Sequence, residues 1–233
     1  MKRITIENAW RGAERCKNCA IRHLVLFADL DHPDFDRIHY PIDDIEYPPG
    51  TRIYMQGEDM PFVYTVRSGL IKLVQQLPNG DFRIVRLLGQ GDLVGLESLS
   101  GQPSGHEAIT MDHVKVCRIP RSVIETLRRD TPRLHDQLME RWQKALNSAD
   151  QWITHLSTGN AKVRVARLLL LLDNASEDDS FFLPTRDDMG AMLGITTESA
   201  SKATAEFRRN NWLRPLPHNR AWIDADALHT QFD

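Results

Sequence analysis

Cysteine is scarce, with three residues in a chain of 233. Three thiols cannot pair off among themselves, which argues against a secreted, disulfide-stapled scaffold. Long apolar runs are also missing. The longest, Leu168–Leu172 among them, span five residues, far short of the ~20 that a spanning helix needs. The opening stretch MKRITIENAWRGAERC has no apolar segment of the signal-peptide kind. The expected setting is the cytoplasm, with no membrane partner. Neither charge sign dominates, since the net charge is −3, so bulk charge points to no partner. Repeats and low-complexity tracts are absent. So are a P-loop, a GxSxG elbow, an HExxH pair and a glycine-rich dinucleotide fingerprint. No catalytic residue is assigned and no enzyme is expected. Asp92, Glu97 and His106 can be assembled into an acid–base group, but turn and loop chemistry is the plainer reading.

What is present suffices for sizeable cores. Hydrophobic residues make up 41% and charged residues 26%, over a length that suits one large domain or two modest ones. The texture changes once. Residues 45–120 read as short strands cut by turns: Pro48-Pro49-Gly50, Gly57, Ser68-Gly69, Pro78-Asn79-Gly80, Gly89, Gly91, Gly95 and Gly101. The β-rich stretches between them are Phe62–Val66, Leu70–Val74, Phe82–Leu88 and Val114–Ile119. Asn79-Gly80 marks a hairpin of the type I′ kind, which needs positive φ at both central residues. Strands at this spacing suggest a sandwich or barrel, and a jelly roll is the natural form. Residues 121–233 read mostly as helix. Leu134, Leu138, Trp142, Ala145, Ala149, Ile153 and Leu156 recur every three or four residues. This heptad-like seam suits either a dimer or a helix packed on its own domain. Ser157-Thr158-Gly159-Asn160 then breaks the helix.

Further on, Thr185-Arg186-Asp187-Asp188 has capping-box spacing. A short helix would carry Met189, Met192 and Leu193 inward and stop at Gly194, where a left-handed C-cap suits glycine. Thr196 or Thr197 caps a second helix with two faces. Ala200, Ala203, Thr204 and Phe207 fall on the buried side. Glu198, Ser201, Lys202, Ala205, Arg208 and Arg209 fall on the other. This is the spacing of a DNA-binding helix-turn-helix, although an ordinary helical hairpin shares it. Residues 202–220 hold Lys202, Arg208, Arg209, Arg214 and Arg220 against Glu206 alone. Arg214 to Ile223 reads as a short hairpin, a wing within reach of a phosphate.

A strand-rich domain, a long helix and a winged helix-turn-helix, in that order, resemble the CRP/FNR family of bacterial transcription regulators. The likeness runs from residue 16 to about 230. It is densest in Gly91-Asp92-Leu93-Val94-Gly95, Val116-Cys117-Arg118-Ile119-Pro120 and Thr185–Arg208. It implies an α+β fold with an N-terminal β-roll (a jelly roll like that of cyclic-nucleotide-binding domains), a long dimerisation helix and a C-terminal winged helix-turn-helix. The expected divisions are a tail over 1–15, a sensory domain with a cysteine segment over 16–120, the dimerisation helix over 121–158 and a DNA-binding domain over 159–233. The implied partners are a second copy of the chain, palindromic double-stranded DNA and RNA polymerase. The dimer contacts would be Leu134, Leu138, Trp142, Ala145, Ala149 and Ile153. The DNA-binding set is Thr196, Thr197, Glu198, Ser199, Ser201 and Lys202, with Arg208, Arg209 and Arg220 on phosphates. The family's recognition helix usually reads Glu-x-x-Ser-Arg, whereas this one reads Glu198-Ser199-Ala200-Ser201-Lys202. Arginine grips guanine O6 and N7 with a planar fork, and lysine offers a single point charge. A weaker demand for that guanine follows.

The signal is the less legible part. The cyclic-nucleotide branch carries Gly-Glu-Leu and, about ten residues on, Arg-Ser. Here Leu96 follows Gly95, and no arginine lies between Arg86 and Arg118. A buried phosphodiester would lack its cation. Cys16 and Cys19 form a CxxC that by itself suits zinc, a redox pair or two ordinary thiols. Cys117 adds a third. It lies where the FNR-like branch places a distant ligand of an iron–sulfur cluster, on the strand face opposite Val114 and Val116. That branch also has a cysteine where Val25 stands. His23, Asp29 and His32 are the candidates for a substitute ligand of the cluster, or of a Cys3His zinc site. The remaining alternatives are no metal at all, a small effector in the β-roll, and an effector-binding module without gene regulation.

Overall fold

The computed structural model describes residues 42–176 and 178–232. Cys16, Cys19, His23, Val25, Asp29 and His32 lie outside the described residues. The described residues form two compact units, one of residues 42–73 and Leu87–Leu146, the other of Val74–Arg86 and residues 147–232.

Eight strands make the β-roll. They are β1 (Asp43–Tyr47), β2 (Arg52–Tyr54), β3 (Phe62–Ser68), β4 (Ile71–Gln76), β5 (Phe82–Leu88), β6 (Leu93–Val94), β7 (Glu107–Thr110) and β8 (Val114–Pro120). They form two four-stranded sheets, ordered β1-β8-β3-β6 and β2-β7-β4-β5. Strand alternation sorts β8 as its sequence suggests. Val114 and Val116 are fully buried, Lys115 is exposed and Cys117 is half-buried. The β4–β5 hairpin forms, but not through a type I′ turn. Gly80 alone has positive φ, at +88°, and its N–H reaches Leu77 O at 3.0 Å. Asn79 does not take positive φ, and its Oδ1 accepts the Asp81 N–H at 3.1 Å. The five-residue connection 77–81 lets a common turn finish on one left-handed glycine.

Helix α1 (Arg121–Asp130) and helix α2 (Pro132–Gln151) follow β8. Val123, Ile124, Leu127, Leu134 and Leu138 pack on Val63, Leu93, Leu96 and Ile119. Beyond that core, α2 is tied to the β5–β6 turn. Lys144 Nζ lies 2.7 Å from Asp92 Oδ1, and the other Asp92 oxygen accepts the Gly89 N–H at 2.9 Å. The helix ends in a π-type turn, Trp152–Leu156, and then breaks at residues 157–160.

Past the break, the second unit continues with α3 (Ala161–Asn174), capped by the Asn160 side chain on the Val163 N–H at 3.0 Å. Its leucine run is a core, not a span, with Leu168, Leu169, Leu170 and Leu172 all buried. Strand β9 (Phe181–Phe182), α4 (Arg186–Leu193), α5 (Thr197–Arg209), β10 (Leu213–Leu216), β11 (Arg220–Ile223) and α6 (Ala225–His229) complete it. The strands order as β10-β11-β9. No described helix is long and apolar enough to cross a membrane.

Candidate nucleic-acid interface

Two caps and two glycines set the angle between α4 and α5. Thr185 Oγ1 accepts the Asp188 N–H at 3.1 Å and donates to the Asp188 carboxylate at 3.0 Å. This satisfies a helix-start donor that would otherwise lack a partner. Gly194 ends α4 at φ +64°, with its N–H on Gly190 O at 2.9 Å. Gly190 makes the crossing possible. A Cβ there would lie 2.9 Å from the Ile195 backbone oxygen. Sequence reasoning missed this residue, although a glycine inside a helical pattern signals close packing. Thr196 caps α5 on the Ser199 N–H at 3.1 Å. Ala200, Ala203, Thr204 and Phe207 are buried, as their spacing implies. The buried Thr204 hydroxyl is satisfied by Ala200 O at 2.8 Å.

The other face of α5 is open. Glu198 and Lys202 form an i,i+4 pair at 2.7 Å, with each side chain about three-quarters exposed. Arg208 and Arg209 are exposed in the last turn. Thr197 is exposed, and its hydroxyl donates to Asp187 Oδ1 at 2.8 Å. Ser199 is half-buried with its hydroxyl 2.9 Å from that of Thr196, and Ser201 is half-buried. Arg186, outside the sequence-based set, opens α4. Burial first, and the nearby Arg208 charge second, lower its pKa. Arg186 and Arg208 thus form one basic locus.

Arg220 requires a correction. Its guanidinium is bound to Asp178 Oδ2 at 3.0 Å, to Ser180 Oγ at 3.0 Å and to the Ser180 backbone oxygen. It fastens the loop before β9 to the wing and is not a cation held out for phosphate. The wing itself is the antiparallel β10–β11 hairpin, turning through His218 and Asn219 at φ +59° and +55°.

The dimer seam is also redrawn. Leu134 and Leu138 are 1% and 4% exposed within the β-roll core, so they face inward and not toward a partner. The uncovered apolar side chains are Met139 (55% exposed), Trp142 (40%), Leu146 (57%) and Ile153 (63%). With Ala149 they keep alternating steps of three and four, the period of a coiled-coil seam. Ala145 is half-buried and off this stripe.

Cys117 Sγ lies 3.5 Å from Asp44 Oδ1 on the neighbouring β1, and Arg67 reaches the same carboxylate oxygen at 2.9 Å. No group of three or more His, Cys, Asp or Glu among the described residues is placed to hold a metal. Described residues therefore supply one thiol of the expected set. In the segment after β6, His106 Nδ1 lies 3.7 Å from Glu97 Oε1, and the buried Glu107 is paired with Arg52.

Comparison with known proteins agrees with this build. Residues 44–131 match a cyclic nucleotide-binding domain, and residues 163–229 match a Crp-like helix-turn-helix domain. The fumarate and nitrate reduction regulatory protein of Vibrio cholerae serotype O1 is 27% identical over 208 residues, covering 86% of this chain and 83% of that protein. Electron transport regulator A of Shewanella oneidensis is 26% identical over 209 residues, covering 85% and 82%. The solved structure of FixK2 from Bradyrhizobium japonicum superposes with a TM-score of 0.73 at 25% identity, covering 82% of this chain and 97% of that one. A β-roll followed by a helix-turn-helix with an open, charged second helix defines a DNA-binding transcription regulator, not an enzyme. The chain belongs to the CRP/FNR family.

Proposed function

We propose that this regulator acts as a homodimer on a palindromic site, with α5 of each copy in a major groove. The observation that carries this reading is the two-faced α5. One side is locked by Ala200, Ala203 and Phe207, and the other holds Glu198, Lys202, Arg208 and Arg209 toward solvent. Glu198 suits a cytosine amino group and Lys202 a guanine edge. The arginines suit phosphates, which position the protein without reading sequence. The exposed stripe from Met139 to Ile153 suits the partner's same stripe. RNA polymerase is the expected further partner. In vitro selection from random duplex DNA, followed by binding across a salt series, tests the reading. A two-fold symmetric consensus with a steep salt slope supports it, and equal affinity for all duplexes refutes it.

For the signal, the reading is a redox or gas response through Cys16, Cys19 and Cys117. Two observations support it. Cys117 stands on the sheet face away from the valine core, and the curated relatives include regulators of fumarate and nitrate reduction. When bound there by those thiolates, an iron–sulfur cluster would supply an oxidant-labile link between the N-terminal segment and β8. Protein purified without oxygen should show a broad visible band, with iron and acid-labile sulfide. Air should bleach it, and Cys117→Ala should remove it. A colourless, iron-free protein would eliminate the cluster in favour of thiol or zinc chemistry or a small effector, leaving the DNA-binding reading intact.

A further inference from the structure

Arg220 is held by Asp178 and Ser180, so the wing's contact with DNA must come from elsewhere if it exists. Arg214 is exposed and makes no ion pair among the described residues. It is the cross-strand partner of Trp222 in the β10–β11 register. Its guanidinium carbon lies 5.5 Å from the centroid of the Trp222 ring, within the reach of a cation–π contact. Trp222 is 38% exposed although its neighbours Ala221 and Ile223 are buried, so the ring is not spent on the core.

The rest of the wing is stiff. Pro215 and Pro217 fix their own φ. The left-handed pair His218-Asn219 closes the turn, and Asn219 O accepts the Leu183 N–H at 2.7 Å. Leu183 stands two residues before the cap of α4, so the wing tip is fastened to the start of the helix-turn-helix.

We infer that Arg214 is the wing's phosphate-binding residue and that Trp222 is its positioning residue. A guanidinium lying over a ring keeps its N–H edge free for a planar, two-pronged partner, and phosphate is such a partner. Confining Arg214 to the ring face also removes rotamer freedom that would otherwise be lost on binding. The contact is sequence-independent and adds to the exposed Arg208 and Arg209 of the same unit. This inference rests on the DNA-binding reading.

The experiment uses the full chain, a duplex recovered by selection and a salt series. In Arg214→Gln the slope of log affinity against log salt should fall in magnitude by about 0.9, the loss of one phosphate contact. In Trp222→Leu the affinity should fall about two- to fivefold. In the double variant Trp222→Leu should cost nothing beyond Arg214→Gln, whereas a purely structural tryptophan would cost the same in both backgrounds. Arg220→Gln should lower the melting temperature and leave the slope unchanged. An unchanged slope in Arg214→Gln overturns the inference. So does a variant that binds DNA normally yet fails in transcription with RNA polymerase, which would make this face a protein contact. Failure of the wild-type chain to prefer any duplex would refute the DNA-binding reading itself.

Discussion

Lys202 is the residue where this chain departs from its family's usual recognition helix, and its surroundings make the departure testable. Its ammonium lies 2.7 Å from Glu198, on side chains that are both about three-quarters exposed. Exposed i,i+4 pairs contribute only about 0.3–0.5 kcal/mol to stability. Neither residue is therefore needed for folding, and changes there should report on DNA. Lys202→Arg should raise selectivity for guanine at one base pair in each half-site, by about 1–3 kcal/mol against the wrong base. A binding selection run on both proteins measures it, and an identical consensus would refute the assignment. Gly190 poses the opposite case, a residue that touches no ligand. Its missing Cβ would lie 2.9 Å from Ile195 O, and backbone cannot swing aside as a side-chain tip does. Gly190→Ala should therefore destabilise the second unit by about 1–3 kcal/mol, net of any gain in helix propensity. Thermal unfolding of the two proteins checks this. Arg220 shows where residue-level reading stops. In sequence it is one more cation of a basic stretch, and its partners lie 40 and 42 residues upstream.

At the scale of the element, α2 carries two apolar stripes with different owners. Leu134 and Leu138 close the core with Val63, Leu93 and Ile119, while Met139, Trp142 and Leu146 stay uncovered. Leu138→Ala should lower the stability of the first unit by about 2–5 kcal/mol, read as a shifted unfolding transition. Leu146→Glu should leave that transition in place and shift the chain to monomer in analytical ultracentrifugation, because a charge on a dimer seam must be buried unpaired. A dimer that survives Leu146→Glu would place the interface elsewhere. The heptad period itself was legible in the sequence. What the spacing cannot tell is which stripe the chain's own β-roll covers, since both consist of similar residues on one helix. The strongly periodic α5 was read correctly down to its four buried positions, because its caps and faces are local. The short strands β2 and β7 were not found. Their pairing is between Arg52 and Ile109 and between Tyr54 and Ala108, and no local pattern carries it. Cys117 was placed on the correct face by alternation alone, but its Asp44 neighbour belongs to another strand.

At the scale of the whole molecule, the proposed palindrome joins the α2 stripe to α5. A single helix-turn-helix makes few base contacts and binds weakly. Two held on one dimer bind as a chelate, because the second half-site is met at high effective concentration. Avidity of this kind raises affinity by about 10²- to 10⁴-fold without any new contact. The wild-type chain should therefore bind a two-half-site duplex far more tightly than a single half-site, whereas Leu146→Glu should bind the two about equally. Spacing gives an independent check. Dimeric helix-turn-helix proteins meet half-sites about one helical turn, roughly 10 base pairs, apart. Inserting about five base pairs between the half-sites turns one groove to the far side of the duplex, and affinity should fall to the single-site value. Inserting about ten restores the facing but lengthens the span. A rigid dimer would lose the longer duplex as well, and one with slack between its two units would recover it. The π-type turn Trp152–Leu156 and the break at 157–160 lie between the seam and α3. Within the second unit, Arg167 donates to His155 O and Thr158 O, both at 3.1 Å. Arg164 in turn spans from Gly159 O at 2.9 Å to Leu193 O at 3.1 Å. These bonds hold the break against α3, and the binding of the lengthened duplex is what separates a rigid dimer from one with slack between its units.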